Sequence, residues 1–138
     1  MILDKPIILC VDDEPSILNL FESLLASNGY EIIKAQNGQE ALEKLKKERV
    51  DLVLMDIMMP KLDGLEACRR IKGNEKTRDL PVVMVTALSE KADLIKGIEA
   101  GAEDFISKPF DAREILNRVK ILLEPKSLGE KPIGELPI

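Results

Sequence analysis

Residues 50–64 read VDLVLMDIMMPKLDG. A mostly apolar run (Val50, Leu52, Val53, Leu54 and Met55) stops at one carboxylate, Asp56. Ile57, Met58, Met59 and Pro60 follow, then a turn or loop through Lys61, Leu62, Asp63 and Gly64. A strand that is apolar on both faces belongs inside a sheet covered by helices on both sides. Ligands of such open sheets bind just beyond the carboxyl ends of the strands. Asp56 stands at that position, which makes it a candidate functional group rather than a surface charge.

Upstream of this stretch, Ile7–Val11 (IILCV) is a second buried strand that runs into Asp12, Asp13 and Glu14. Pro15 suits the first turn of a helix, and Ile17, Leu18, Phe21, Leu24 and Leu25 recur at helical spacing. Asp12 or Asp13 can also serve as an N-cap for this helix. Gly29 marks its end and Glu31–Ala35 reads as a weaker strand. Asn37 with Glu40 three residues on resembles a capping arrangement. It opens a helix with Ala41, Leu42 and Leu45 inward and Lys44, Lys46 and Lys47 toward water.

Downstream, a helix over about residues 63–72 has Leu65, Cys68 and Ile71 as its inner stripe and ends at Gly73-Asn74. Residues 81–85 (PVVMV) form a buried strand ending in Thr86. Ser89 caps a helix whose apolar positions are Leu94, Ile95 and Ile98, ending at Gly101. Asp104–Ser107 is a short strand carrying Phe105 and Ile106, followed by Lys108-Pro109. Asp111 and Glu114 cap a last helix, with Ile115, Leu116, Val119, Leu122 and Leu123 inward. Strand and helix alternate five times, the pattern of an α/β domain with a parallel sheet and right-handed crossovers. From Glu124 onward, three prolines and two glycines end the periodicity. Residues 1–123 therefore read as one domain and 124–138 as a flexible tail or the start of a linker.

Composition narrows the function. The chain has 138 residues and a formal charge of -5, which argues against direct nucleic-acid binding. No apolar run reaches the length of a membrane span, and no secretory signal opens the sequence, so the expected compartment is the cytoplasm. Histidine is absent, which removes histidine triads, imidazole metal sites and a phosphohistidine carrier role. Cys10 and Cys68 fit neither a disulfide framework nor a zinc site and read as small core hydrophobes. Met55, Met58 and Met59 read as packing residues.

Four strands thus end in polar groups: Asp12 and Asp13, Asp56, Thr86, and Lys108. A parallel sheet brings these ends to one edge. Three carboxylates against one lysine leave about -2, and one Mg²⁺, which favours hard oxygen ligands and phosphate partners, balances that charge.

Asp12-Asp13, Asp56 ahead of MMP and DG, Thr86-Ala87 and Lys108-Pro109, in this order at the ends of alternating strands, resemble the receiver domain of two-component response regulators, chemotaxis-regulator-like members included. The resemblance covers about residues 5–123. It implies a flavodoxin-like, doubly wound five-stranded parallel sheet of order 2-1-3-4-5 with five helices. It makes Asp56 the phosphoacceptor for a phosphohistidine of a sensor histidine kinase or phosphotransfer protein. Asp13, Asp56 and the backbone carbonyl of Met58 would hold Mg²⁺, with Asp12 acting on it directly or through water. Lys108 would pair with the phosphoryl oxygens, Thr86 and Phe105 would switch with phosphorylation, and the Lys108-Pro109 bond would be cis. The output would run through the last two helices and the strand between them, to an effector domain or a homodimer, with no direct nucleic-acid or membrane partner.

Some features depart from the common family pattern. Phe105 stands where tyrosine is frequent and cannot make a hydroxyl hydrogen bond. Met58 and Leu88 are apolar at positions that flank the hydrolytic water in the family, which implies a long-lived phosphoryl group. The segment CRRIKGNEKTRDLPVVMVTA is similar to receivers attached to cyclic-dinucleotide enzymes and to stand-alone ones. Asp104 and Arg118 can pair within the domain or across a dimer. Two rival functions share the fold class. One is a phosphorylation-independent interaction module, which would tolerate loss of the acids or the lysine. The other is a Mg²⁺ phosphatase, which would need its own acid/base and substrate pocket. The chain keeps the acids and the lysine, and reads as a signalling domain rather than a free-standing enzyme.

Overall fold

Leu52–Met55 has no polar residue and no exposed one, so both of its faces must be covered. In the computed structural model, which describes residues 5–87 and 91–128, that stretch is the middle strand of the sheet. The elements are β1 (Ile7–Val11), α1 (Pro15–Ala26), β2 (Glu31–Ala35), α2 (Gly38–Lys47), β3 (Leu52–Met55), α3 (Gly64–Gly73), β4 (Val82–Thr86), α4 (Lys91–Ala100), β5 (Asp104–Ser107) and α5 (Ala112–Leu128). The strands are all parallel, in the order β2-β1-β3-β4-β5.

Because side chains alternate along a strand, the sheet splits the interior into two cores. Leu9, Val11, Val53, Met55, Val82 and Met84 face one, which α2, α3 and α4 cover. Ile8, Cys10, Leu52, Leu54, Val83 and Val85 face the other, closed by Leu18, Phe21 and Leu25 of α1 and Ile115 and Val119 of α5. Phe21 and Phe110 stack with ring centroids 5.3 Å apart, pinning the chain before α5 to α1. Cys10 and Cys68 lie in opposite cores as free thiols. Burial pushes the Cys10 thiol far up and the Cys68 thiol up to about 11, so both stay protonated.

The helix starts follow local chemistry. Asn37 accepts the Glu40 N–H at 2.8 Å, Asp63 the Glu66 N–H at 2.9 Å, and Asp111 the Arg113 N–H at 3.0 Å, each satisfying a free first-turn donor. Neither Asp12 nor Asp13 occupies the N-cap of α1. That position is Glu14, without a side-chain bond, and Asp12 Oδ1 accepts the Glu14 N–H at 3.0 Å. Gly29, at φ +93°, turns the chain out of α1.

Further expectations differ from the structure, among them the strand expected over 81–85, which spans Val82–Thr86. On α4 the buried residues are Gly97 and Ala100, Leu94 is half-buried, and Ile95 and Ile98 are 47% and 63% exposed. A side chain at Gly97 is excluded because the Phe105 ring occupies the space beneath that residue. On α2, Lys44 is half-buried while Lys46 and Lys47 face water. Helix α5 runs to Leu128, five residues beyond 123 and through Pro125. The expectations for Leu88, Ser89 and residues 129–138 lie outside the described residues.

A polar clip closes the edge of the sheet away from the acids. Lys72 Nζ donates to the carbonyls of Leu80 at 2.7 Å and Arg78 at 3.2 Å and pairs with Glu103 at 2.7 Å, while Glu103 Oε1 accepts the Val82 N–H at 2.8 Å. Lys72→Met is expected to cost about 1–2 kcal/mol, because a half-buried set of acceptors loses its donor. A urea midpoint shifted at constant slope measures this, and an unchanged midpoint shows that water replaces the ammonium.

Candidate functional site

Asp12, Asp56 and Lys108 are each held by extending the ladder one step past their strands. The Asp12 N–H donates to Ala35 O at 3.1 Å, the Asp56 N–H to Val11 O at 3.0 Å, and the Lys108 N–H to Thr86 O at 2.9 Å. Asp12, Asp56 and Thr86 are the buried polar residues among those described, and Asp13 is exposed. Carboxylate oxygens of Asp12, Asp13 and Asp56 lie within 4.8 Å of one another. Lys108 Nζ bridges two of them, donating to Asp12 Oδ2 at 2.7 Å and Asp56 Oδ2 at 3.1 Å. The Lys108-Pro109 peptide bond is cis.

Burial drives the Asp12 carboxyl above the usual aspartate range, opposed mainly by its bond from Lys108. Burial alone would lower the Lys108 ammonium. Its hydrogen bonds to Asp12 and Asp56 outweigh that and hold it above the ordinary lysine value. The lysine is therefore a permanent cation between two acids.

The loop after β3 is pinned by close backbone approaches. The Gly64 N–H donates to Ile57 O at 2.8 Å, the Gly38 N–H to Leu62 O at 3.0 Å, and the Met58 N–H reaches Asp56 Oδ1 at 3.4 Å. A Cβ on Gly64 would stand 2.1 Å from Asp56 O, and one on Gly38 2.5 Å from Leu62 O. Sequence reading did not single out Gly38 or Gly97 and read Gly64 only as part of a turn. Its sole signal was the DG pair after the apolar run.

The remaining residues take stated places. Thr86 ends β4, buried on the face it shares by alternation with Met84, and Phe105 packs half-buried on that same side. Met58 is 62% exposed beside the acids. Arg118 pairs with Asp104 at 2.6 Å within the domain. The donor set of clustered carboxylate oxygens, two of them on buried residues, with a net charge of -2 once Lys108 is counted, fits a hard divalent cation such as Mg²⁺.

Residues 8–120 match the response regulator receiver domain family. The alkaline phosphatase synthesis transcriptional regulatory protein PhoP of Bacillus subtilis is 44% identical over 122 residues, which are 88% of this chain and 50% of PhoP. The chain thus spans about half the length of the curated relatives it matches. A CheY-like response regulator receiver domain protein from Methanospirillum hungatei superposes with a TM-score of 0.84 at 29% identity, covering 90% of this chain and 98% of that one. The receiver domain of sensor histidine kinase PA1611 from Pseudomonas aeruginosa, which has a magnesium ion coordinated in its active site cleft, gives 0.81 at 30% identity over 88% of this chain and 99% of that one. No helix among the described residues is long and apolar enough to cross a membrane.

Proposed function

This chain belongs to the response regulator receiver domain family of two-component signalling, and on that premise we propose that Asp56 is its phosphoacceptor. The observation that carries the assignment is the Lys108 bridge to Asp56 in a cluster of three carboxylates. An Asp56 carboxylate oxygen attacks the phosphorus of a phosphohistidine on a sensor kinase or phosphotransfer protein. The P–N bond breaks, and its electron pair returns to the imidazole nitrogen. Lys108 neutralises the phosphoryl oxygens, and the Thr86 hydroxyl donates to one of them. Asp12, Asp13, Asp56 and the Met58 carbonyl would hold Mg²⁺, which supplies charge neutralisation to the transferring group. The rest is positioning by the strand ends, and the domain catalyses its own phosphorylation.

Phosphorylation adds charge and acceptor oxygens at the sheet edge. Thr86 is drawn toward them, and Phe105 and α4 respond. The output surface in this reading is α4, β5 and α5, where Ile95, Ile98 and Ile121 are exposed. Its partner is an effector domain or a second copy, in the cytoplasm. Incubation with Mg²⁺ and acetyl phosphate followed by intact mass tests the reading. Addition of one phosphoryl group supports it, and a folded protein that takes up none overturns it.

Lifetime is a separate expectation. Met58 offers no polar group to orient an attacking water, so the phosphoryl group should persist. Met58→Asn is expected to raise the dephosphorylation rate roughly tenfold, below what a full general base supplies. An unchanged rate in a phosphate-release assay would mean that another feature sets the lifetime.

A further inference from the structure

We propose that Gly97 is the seat of the Phe105 ring in the unphosphorylated domain, and that by seating it this glycine sets how readily the acidic site is loaded. The proposal rests on the reading of Asp56 as phosphoacceptor and of Thr86 and Phe105 as the responding pair.

The geometry is specific. A Cβ at position 97 would lie 2.1 Å from Phe105 Cζ and 2.4 Å from Cε2. No carbon can occupy that point while the ring stays where it is. The backbone gives no other reason for glycine. Gly97 lies inside α4 without a positive φ, and in such a place glycine is a poorer helix former than alanine. The ring needs the missing methyl group; the helix does not.

Phe105 has no hydroxyl, so shape alone holds its ring. Side-chain alternation puts that ring in the same layer as Thr86. Phe105 pairs with Met84, and Ser107 with Thr86, across the β4–β5 ladder. Met84 and Phe105 pack in the core beneath α2–α4, and Thr86 follows Met84 on that face. A Thr86 drawn toward a phosphoryl group therefore alters the layer in which the ring sits. Helix α4 buries only Gly97 and Ala100 there, so few apolar contacts hold it against a ring that moves. Excluding the seated position removes part of the resting population. A ligand of the loaded state then binds more tightly by that factor.

Beryllofluoride with Mg²⁺, a phosphoryl analogue for aspartate, is the probe. Its affinity would be measured on the full chain for the parent, Gly97→Ala, Phe105→Ala and the double variant. Gly97→Ala is expected to bind at least about fivefold more tightly than the parent. In the Phe105→Ala background the same change should move the affinity by less than about twofold. An unchanged or weaker affinity for Gly97→Ala overturns the proposal. So does an equal gain in both backgrounds, which helix propensity alone would produce. Phe105→Val replaces Phe105→Ala if thermal unfolding shows that the latter does not fold. A parent protein that takes up no beryllofluoride overturns the Asp56 reading itself, a failure distinct from one confined to Gly97.

Discussion

Asp56→Asn is expected to take up no phosphoryl group from acetyl phosphate, a fall of at least about 10³-fold, in the range seen when a nucleophile is removed. The amide has nearly the shape of the carboxylate but lacks its nucleophilic anionic oxygen. The fold should survive. The Asp56 N–H bond to Val11 belongs to the backbone, and removing one of three clustered acids reduces the local charge from -2 to -1. Thermal stability without Mg²⁺ should therefore match or exceed that of the parent, while Mg²⁺ stabilises the variant less, since one ligand has lost its charge. Intact mass and thermal unfolding of both proteins check this together. Uptake of a phosphoryl group by the variant would move the acceptor role to Asp12 or Asp13.

Gly64→Ala is expected to damage both fold and site. Its methyl carbon would stand 2.1 Å from Asp56 O and 2.9 Å from Ile57 Cα. These are backbone atoms, so no rotamer change relieves the clash and the loop must shift. Forced overpacking of this kind costs about 2–3 kcal/mol, read as a lower urea midpoint. The displaced atom belongs to Asp56, the proposed acceptor, so phosphoryl uptake by the folded fraction should fall by about tenfold or more, as misplaced reacting groups do. Gly73→Ala is the control. A Cβ there meets nothing within 4 Å, and the change should be neutral or slightly stabilising. A Gly64→Ala protein as stable and as readily phosphorylated as its parent would show that the loop geometry is not tied to the site.

Apolar runs and polar endings made the sheet and its acidic edge legible. Ile7–Val11, Glu31–Ala35 and Asp104–Ser107 have the expected bounds, and Asp56 follows β3 as read. Periodicity failed on α4 because it registers apolarity and not size. Leu94, Ile95 and Ile98 satisfy helical spacing, yet the residues buried beneath the helix are Gly97, against the Phe105 ring, and Ala100. The close approaches at Gly38 and Gly64 and the Lys72–Glu103 pair, 31 residues apart in the chain, are products of tertiary folding and leave no local pattern. Pro125 carried a stop signal that the backbone of α5 does not obey.

The division of the interior by the sheet has an evolutionary consequence. Val53 and Leu54 are neighbours in sequence but pack in opposite compartments. Phe105 and, by alternation, Thr86 lie on one side, and the packing of α1 and α5 on the other. Substitutions can therefore accumulate under α1, reshaping the surface it offers, without repacking the layer of Thr86 and Phe105. On this plan one face of the sheet can be remodelled while the layer beneath α2–α4 keeps its packing.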